Sequence, residues 1–528
     1  MGILQSILVA IAMGLLLTEN LGYGHIQISR PVFAGPIIGL ILGDIQTGLI
    51  VGGTVELMFM GVFPVGGSVP PNAQFAGMMS TVFAIASGGN PEVGITLAYP
   101  VGVFAQFVIL LDYNINLLII HKADRDIEKG VKNAVEKNLF LSIFLMFTAW
   151  TVSAFLGCYF GSEFVGTLYS KLPEFIRLGL SVAGGIMPAM GMAMLLKMMD
   201  FKKYWCILLV GYVLSSFLKM NILSIALLGV GVAVSIYVLN KKDETSDSYL
   251  IDDNKEVGEK SRIVTKDDLK RVNLRSYLVG GNLNYERYLG LGFNYAIMPV
   301  LKRVYTDEED LKEAVTRHME FYNTHPWMHN IILGIVAAME EERALGGNVT
   351  VESISATKAA LMGPTAGFGD SFFKGVIVTI AGGIAASLAI EGNMIAPIVF
   401  IVPCIVVMVL VRNLGTSLGY EYGSKILLQL RKGGALEKFI RGSSVVGMLV
   451  TAGLITNYVK FNLKTVFVIN GSELVLNNLI NGILPQALPY LITFFYYWII
   501  NKNPKNGMYI TLLLSFIIGI IGNLIGIL

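Results

Sequence analysis

Charged side chains are scarce in this chain of 528 residues. Only 14% of the residues are Asp, Glu, Lys or Arg, whereas 54% are hydrophobic, and an average soluble domain carries roughly 25% charged residues. A water-soluble protein of this length needs more charge to cover its surface, so the composition indicates an integral membrane protein. The net charge of +2 is too small to favour nucleic acid or an acidic partner.

Cysteine and nucleotide-binding motifs are also nearly absent. Cys158, Cys206 and Cys404 all lie inside apolar runs, where we expect the thiols to be buried. Their number and spacing predict neither a disulfide framework nor a metal site. The phosphate-binding pattern G-x-x-x-x-G-K-[ST] does not occur in the chain, which disfavours an ATP-driven pump.

Long apolar runs fill most of the chain. A membrane-spanning helix needs about 20 mostly apolar residues, and a shorter one suffices where a broken or re-entrant helix is buried in protein. The first run lacks a basic flank and an Ala-x-Ala cleavage site, so we expect a membrane segment rather than a signal peptide. The sequence predicts an all-α polytopic membrane protein. The clearest runs are Ile3–Leu17, Val32–Leu49, Leu139–Phe160, Ile207–Leu239, Gly375–Leu388, Ile395–Leu410, Ile483–Ile500 and Met508–Leu528.

One charged stretch divides the chain into two membrane modules, 1–239 and 263–528. Residues 240–262 are rich in Ser, Asp and Lys without helical periodicity, which predicts a flexible linker. The second module begins with a polar segment, 264–349, that we expect to be helical and partly soluble. The loop 121–137 carries six basic side chains if His121 is counted, which favours the cytoplasm, and we expect the linker on the same side.

A polar stretch interrupts the apolar runs of the first module. Residues 52–77 read GGTVELMFMGVFPVGGSVPPNAQFAG and contain Glu56, three prolines, Asn72 and Gln74. A carboxylate at mid-bilayer costs roughly 2.5–3.5 kcal/mol, so it normally faces a cavity or a partner. Irregular backbone at that depth persists only when it is buried in protein or lines water. The stretch fits either a broken-helix site for sugar hydroxyls or a structural re-entrant hairpin.

Two polar clusters stand out in the second module. GGNLNYER, at 280–287, places Asn282 and Glu286 within one short stretch, which fits a binding cluster or a polar loop. LMGPTAGFGDS, at 361–371, is rich in glycine. Its glycines favour close backbone packing or a broken membrane helix beside a substrate.

A helix is predicted between these clusters. Thr306 and Glu309 form a potential capping box, and Pro326 ends the helical pattern. His318 falls on the same face as the apolar side chains of this helix. Both a buried structural histidine and a ligand-binding histidine fit this position.

The two modules resemble two components of one transport family. The first resembles the IIC component of the mannose/fructose/sorbose family of the bacterial phosphotransferase system, through IQISRP (26–31), GLILGDIQTGLIVGGTVELMFMG (39–61) and VPPNAQ (69–74). The second resembles the IID component through RSYLVGGNLNYER (275–287), RHMEFYNTHP (317–326) and LMGPTAGFGDS. These components are usually separate chains, so the resemblance implies a IIC–IID fusion.

The resemblance implies the sugar-translocating part of a phosphoenolpyruvate-dependent phosphotransferase system in the bacterial cell membrane. Such a pair takes up a hexose, and a separate cytosolic IIB, supplied by IIA, phosphorylates the sugar during import. No IIA or IIB segment is visible, and a carrier thiolate needs a partly exposed, electropositive setting, so we expect no phosphoryl-carrying residue here. Family members assemble as trimers of IIC–IID pairs, which implies a homotrimer in membrane lipid. We expect no cofactor, no metal and no nucleic acid.

By position, the resemblance also implies a sugar site built by both modules. Many relatives carry Asp where this chain has Asn72, which extends the expected substrates to amino and N-acetyl hexoses. The expected sugar contacts are Gln27, Glu56, Asn72, Asn282, Glu286 and His318.

Two other functions fit the residues. An ion-coupled sugar symporter would use Asp44 and Glu56 as proton sites and would need no phosphate donor. A non-transporting sugar sensor would use the polar segment 264–349 as its output module and would bind sugar without accumulating it. No kinase, DNA-binding or signalling motif supports the sensor.

Overall fold

The computed structural model describes most of the chain and is almost entirely helical. The described residues are 1–62, 70–162, 171, 173–198, 201–239, 262–422, 435–469, 472–504 and 506–528. One small antiparallel hairpin, β1 (Val466–Ile469) with β2 (Ser472–Val475), departs from the predicted all-α class, which is otherwise confirmed. Of the predicted linker, only Arg262 lies within the described residues.

The first half contributes ten described helices. Two of them continue into a short π-helical turn, at Gly157–Gly161 and at Val213–Phe217. The helices are α1 (Ile3–Leu21), α2 (Pro31–Leu42), α3 (Ile45–Phe59), α4 (Ala73–Ala86), α5 (Pro91–Glu128), α6 (Ala134–Leu156), α7 (Glu174–Ile186), α8 (Pro188–Met198), α9 (Phe201–Tyr212) and α10 (Ile222–Leu239).

The second half contributes eleven described helices. This half also contains a 3₁₀ turn, Val279–Gly281, and a π-helical segment, Asp370–Val378, that joins two of the helices. The helices are α11 (Lys266–Ser276), α12 (Gly290–Val304), α13 (Glu308–Arg317), α14 (His329–Ala344), α15 (Val351–Gly369), α16 (Thr379–Ile390), α17 (Ala396–Tyr422), α18 (Ala435–Tyr458), α19 (Leu476–Ile483), α20 (Ala487–Lys502) and α21 (Gly507–Leu524).

Seven helical segments among the described residues are long and apolar enough to cross a membrane. They lie in α1, α5, α6, α7–α8, α15–α16, α17 and α21, and the bent pair α19–α20, with an angle of 86°, makes an eighth if it is one broken span. The predicted apolar runs do not include α5, which is nevertheless one of these spans. None of the four described helices between 264 and 349 has the length and hydropathy of a span.

The run predicted at Val32–Leu49 is a broken membrane element. Gly43 has a φ of 86°, which favours glycine, and it ends α2. Asp44 then caps α3, with Oδ1 accepting from the Thr47 backbone N–H at 3.0 Å and Oδ2 accepting from its hydroxyl at 2.6 Å. At Gly48 an added Cβ would lie 2.5 Å from a backbone oxygen of α2, so glycine permits the two short helices to pack closely.

The capping box predicted at the start of α13 is wrong. Asp307 caps this helix instead of Thr306, and its Oδ1 accepts from the Glu309 backbone N–H at 2.9 Å. An aspartate caps at least as well as a threonine, and here it lies directly before the first helical residue. The helix ends at Arg317, so His318 lies at its C-terminus rather than on its apolar face.

Both halves of the chain build the same hydrophobic cores. Each of the three largest buried clusters combines side chains from before and after the linker, such as Phe59 with Tyr496 and Val32 with Phe400. The backbones approach closely between α3 and α16, where a Cβ added at Gly53 would lie 2.9 Å from the Ala386 carbonyl oxygen. The two halves therefore share one packed interior.

Candidate functional site

A cavity of about 630 Å³ lies where the two halves meet. Its first-half walls come from the segment between α1 and α2, from residues around the start of α4, and from α5. Its second-half walls come from the segments before α12 and α14 and from the end of α15. Small-molecule sites have this size and this mixture of apolar and polar walls. The polar lining residues include Gln27, Arg30, Asn72, His325, Asp370 and Lys374.

A buried carboxylate shapes the loop that carries Gln27 and Arg30. Glu19, near the end of α1, is fully buried, and its Oε1 accepts from the Gln27 backbone N–H at 3.0 Å and from that of Ile26. Its Oε2 accepts from the Ser29 backbone N–H at 3.3 Å. Gln27 has a φ of 77°, a conformation that a side chain other than glycine adopts only when its surroundings hold it. Glu19 supplies that restraint.

Glu56 contacts a partner rather than the cavity. It is fully buried, and its Oε1 accepts from Arg30 Nε at 2.9 Å and from the Arg30 Nη2 group. Its Oε2 accepts from the Val32 backbone N–H at 3.4 Å. Arg30 lines the cavity and Glu56 does not, so Glu56 neutralises and orients a guanidinium on the cavity wall.

Asn72 lines the cavity and also caps α4. Its Oδ1 accepts from the Phe75 backbone N–H at 2.7 Å, and its own backbone N–H donates to the Gly102 carbonyl at 2.9 Å. Because capping uses Oδ1, the side-chain NH₂ group is the part suited to contact a ligand. An ionised aspartate would cap α4 equally well but would offer no such donor.

His325, Asp370 and Lys374 supply the polar wall of the second half. Asp370 and Lys374 are one turn apart on the π-helical segment and form an ion pair at 3.1 Å. An added Cβ at Gly369 would overlap the buried His325 side chain, so this glycine permits α15 to approach the cavity wall. π-helical segments occur frequently at functional sites.

Asn282 and Glu286 lie outside the cavity lining. Asn282 is fully buried, and its Nδ2 donates to Ser142 Oγ at 2.7 Å and to the Asn116 carbonyl at 3.2 Å. Glu286 is exposed and pairs with His121 Nε2 at 3.0 Å at the end of α5. Both residues connect the second half to the first, and their contact with sugar stays a prediction.

His318 belongs to a buried polar cluster that is separate from the cavity lining. Its Nε2 is hydrogen-bonded to Glu340 Oε1 at 2.8 Å, while Arg317 Nη2 and the Tyr305 hydroxyl donate to Glu340 Oε2 at 2.9 and 2.7 Å. Burial alone would raise the pKa of Glu340, but the hydrogen bonds from His318 and Arg317 outweigh it and hold this pKa at about 2. These contacts match the structural alternative for His318.

Arg30, His325, Asp370 and Lys374 are polar cavity residues outside the predicted set of sugar contacts. Arg30 carries a usable signal, because a charge beside apolar runs requires a partner, and the sequence offers Asp44 and Glu56 as acids within the following apolar segments. Lys374 follows Asp370 by four residues, which is the spacing of an ion pair on a helix. His325 lies in the motif RHMEFYNTHP, before a proline, but no periodicity marks it as a cavity residue.

The cysteine expectation holds at two of three positions. Cys158 and Cys404 are buried, whereas Cys206 is exposed. The prediction of burial is therefore wrong for Cys206, because the side of α9 that carries it does not pack against another described element.

Two family models match consecutive parts of the chain. The model described as "PTS system sorbose-specific iic component" matches residues 3–235, and the model described as "PTS system mannose/fructose/sorbose family IID component" matches residues 263–528. The chain belongs to the mannose/fructose/sorbose family of phosphotransferase-system sugar permeases. The predicted IIC–IID fusion and its function in sugar transport are confirmed, and this permease is a multi-pass protein of the bacterial inner membrane.

Individual relatives match each half of the permease. The mannose-specific EIID component of Escherichia coli O6:H1 is 32% identical over 288 residues, which cover 53% of this chain and 99% of that protein. The N-acetylgalactosamine permease IIC component 1 of Escherichia coli K12 is 37% identical over 206 residues, 39% of this chain and 77% of that protein. A solved structure described as "Structure of membrane protein" is 32% identical, with a TM-score of 0.47, and covers 50% of this chain and 98% of its own. The sugars in these names differ, so family membership does not fix the sugar.

Proposed function

We propose that this permease binds its sugar in the cavity between the IIC and IID halves and presents it to a cytosolic IIB for phosphorylation. The observation that carries the proposal is the cavity itself, about 630 Å³ in volume and walled by both halves. Amide and hydroxyl groups suit sugar hydroxyls, and the Tyr113 and Trp327 rings on the wall suit the apolar face of a pyranose.

The direct sugar contacts in this proposal are Gln27 and Asn72 of IIC and His325 and Asp370 of IID. Glu56 acts through Arg30, because it pairs with that guanidinium behind the wall. Asn282, Glu286 and His318 hold the surrounding frame through their own hydrogen bonds and ion pairs.

An N-acetyl hexose is the substrate class that suits Asn72 best. The side-chain NH₂ of Asn72 is a donor, and an acetamido carbonyl is an acceptor that a plain hexose lacks. The ammonium of an amino hexose would meet a donor and would be disfavoured. The similarity to an N-acetylgalactosamine permease IIC component supports the same class.

Import is driven by phosphoryl transfer from IIB, which IIA supplies. The C-terminal end of α5, where the basic segment 121–137 begins, and the polar segment of IID lie together. Asp124 pairs with Arg287 at 2.7 Å and His121 with Glu286 at 3.0 Å. This common polar end supports a cytoplasmic face on which IIB reaches the sugar, with the linker on the same side. The assembly in lipid is a homotrimer, as the family resemblance implies.

The structure gives the symporter little support. Asp44, one of its two proton sites, caps α3 through Thr47, and Glu56, the other, is neutralised by Arg30.

Right-side-out membrane vesicles test the proposed function. They are loaded with phosphoenolpyruvate and the general phosphotransferase proteins, with or without IIA and IIB, and receive labelled N-acetylgalactosamine or mannose. We expect sugar phosphate to accumulate only when IIB is present. Unmodified sugar that accumulates without IIB and is lost with an uncoupler would establish the symporter, and binding without accumulation would establish the sensor.

A further inference from the structure

A carboxylate without a counter-ion lies inside the membrane span α5. Asp112 is buried, its Oδ2 accepts from Asn116 Nδ2 at 3.1 Å, and its Oδ1 has no hydrogen-bond partner. No cationic side chain in the described ranges forms an ion pair with it. At about 1.5 Å per residue, Asp112 lies roughly 13 Å along α5 from His121 at the polar end, deep within the span.

A proton on Asp112 would complete the hydrogen bonding of this site. An isolated charge is strongly disfavoured in a low-dielectric interior, and such a group normally binds a proton or acquires a partner. The Asn116 Oδ1 atom on the next turn also lacks a hydrogen-bond partner. The site therefore holds two unsatisfied acceptors, and a proton on Asp112 would supply the missing donor.

Asn116 links Asp112 to the wall of the sugar cavity. Its Nδ2 donates both to Asp112 and to the carbonyl of Leu283 in the IID half, at 3.2 Å. Leu283 lines the cavity, as do Ile109 and Tyr113 on either side of Asp112 along α5. A change of charge at Asp112 therefore acts on a contact between the halves that forms part of the cavity wall.

The titratable groups beside Asp112 on α5 and on the facing loop of the second half are tyrosines. Tyr113 packs edge-on against Tyr285 at 5.1 Å, with Tyr288 on the same loop. Within the described residues α4 carries no charged residue, and none of the charged groups of the other elements packed on α5 pairs with Asp112. Those groups are Glu56 of α3, Glu136 and Lys137 of α6, Glu174 and Arg177 of α7, and Glu308, Glu309, Asp310, Lys312, Glu313 and Arg317 of α13.

The charged side chains that line the cavity form ion pairs. Arg30 pairs with Glu56, and Lys374 pairs with Asp370. Asp112, which lies beside the cavity wall, differs from these carboxylates because it has no ion-pair partner among the described residues.

We propose that Asp112 is a proton-binding site that takes up its proton when sugar occupies the cavity. The proposal rests on the proposed function. Sugar displaces water from the cavity and tightens its wall, which lowers the polarity around Asp112 and favours the neutral acid. One proton passes from the buffer to Asp112 Oδ1 and no other bond changes. Sugar affinity therefore rises as the pH falls, while the energy for import still comes from phosphoryl transfer.

Calorimetric titration of the purified full chain measures this proton. Mannose, fructose, sorbose and N-acetylgalactosamine are the probes, and each is titrated in two buffers of different ionisation enthalpy across a pH series. We expect wild-type protein to take up a fraction of a proton, up to one, per sugar bound. The Asp112→Asn variant should take up no proton when sugar binds. Its sugar affinity should be the same at every pH and equal to that of wild-type protein at low pH. Asp267→Asn, which removes an exposed carboxylate on α11, should retain the wild-type behaviour.

A second variant keeps the proposal testable if Asp112→Asn does not fold. Asn116→Ala removes the one side-chain donor that the described residues give to the carboxylate, so the midpoint of the pH dependence should shift, and an unchanged midpoint would overturn the proposal. If wild-type protein binds sugar without proton uptake, or if Asp112→Asn still takes up a proton, the role of Asp112 is overturned. The proposed sugar site would stand in either case. If wild-type protein binds none of the four sugars, the proposed function is overturned, and this inference with it.

Discussion

Arg30 and Glu56 form a buried ion pair that joins the start of α2 to α3, with the guanidinium on the side of the cavity. The Nε–Oε1 distance is 2.9 Å, and Glu56 also accepts from the Val32 backbone N–H. A buried carboxylate in an apolar stretch is costly, and the guanidinium of Arg30, in the same half of the chain, supplies its counter-ion. It also fixes the position of a charged group on the cavity wall.

Glu56→Gln should reduce both stability and uptake. Removal of one partner leaves the other buried charge uncompensated, at a cost of about 3–5 kcal/mol, and Arg30 would lose its orientation. Thermal unfolding in detergent and labelled-sugar uptake measure the two effects. In the double variant Arg30→Met/Glu56→Gln, stability should partly recover while uptake stays low. Wild-type stability and affinity in Glu56→Gln would contradict the role assigned to this pair.

Asn72→Asp should change sugar preference without loss of stability. The aspartate keeps the cap on α4 but loses the NH₂ donor, so affinity for N-acetylgalactosamine should fall about tenfold relative to mannose, as expected for a lost hydrogen bond of roughly 1.4 kcal/mol. Competition binding with both sugars measures the ratio. Asn90→Asp is the matched control, because Asn90 caps α5 in the same way through Glu92 and does not line the cavity. An unchanged ratio in Asn72→Asp would remove Asn72 from the site.

Gly369→Ala should disrupt the cavity, whereas Gly367→Ala should be tolerated. An added methyl group at Gly369 overlaps the His325 side chain, while at Gly367 no atom lies within 4 Å of it. Both positions lie in α15, where alanine itself is favoured over glycine by roughly 1 kcal/mol. Sugar binding and thermal stability of the two variants provide the comparison. Equal behaviour of the pair would show that α15 does not press on His325.

Replacement of Cys158, Cys206 and Cys404 by Ala or Ser should leave phosphorylation-coupled uptake largely intact. Two of these thiols are buried, and the proposed phosphoryl carrier is a residue of IIB. Uptake in vesicles with IIB measures the effect, and single Cys206 replacement isolates the exposed thiol. Loss of phosphoryl transfer in a folded variant would place the carrier in this chain.

Separate chains 1–242 and 263–528 should reassemble and transport sugar when they are co-expressed. The halves share their hydrophobic cores and pack closely at Gly53 and Ala386, so the linker is needed only as a tether that raises effective concentration. Co-purification and uptake measure reassembly. Gly53→Leu in the first chain should weaken it, since the side chain would meet the backbone of α16. Halves that insert but never associate would show that the covalent link is structural.

Composition and apolar runs were sufficient to predict the helical membrane fold. The IIC-like and IID-like motifs predicted that the two components are fused in one chain. Local patterns did not predict which polar residues meet. Glu56 and Arg30 are 26 positions apart in sequence, and His318 finds Glu340 22 positions later, so only the packed helices reveal these partners. The span α5 does contain a mostly apolar run without charged residues, at 93–111, which the predicted runs missed. Asp112 and Asn116 follow that run and are buried, and Asn116 donates to the Leu283 carbonyl of the second half.

Membership of a sequence motif does not determine whether a side chain lines the cavity. Asn72 and Gln27 of the predicted contacts line the cavity, whereas Asn282 turns toward Ser142, away from the lining. Side-chain direction in these irregular segments depends on hydrogen bonds such as those of Glu19 to the loop of Gln27. Such contacts arise between elements and have no periodic signature in the sequence.

A cryo-electron microscopy structure of the purified permease with bound N-acetylgalactosamine tests the central claim most directly. The account predicts sugar density between Gln27 and Asn72 of the IIC half and His325 and Asp370 of the IID half, with the acetamido group beside Asn72. Sugar held entirely within one half, or bound outside this cavity, would contradict it.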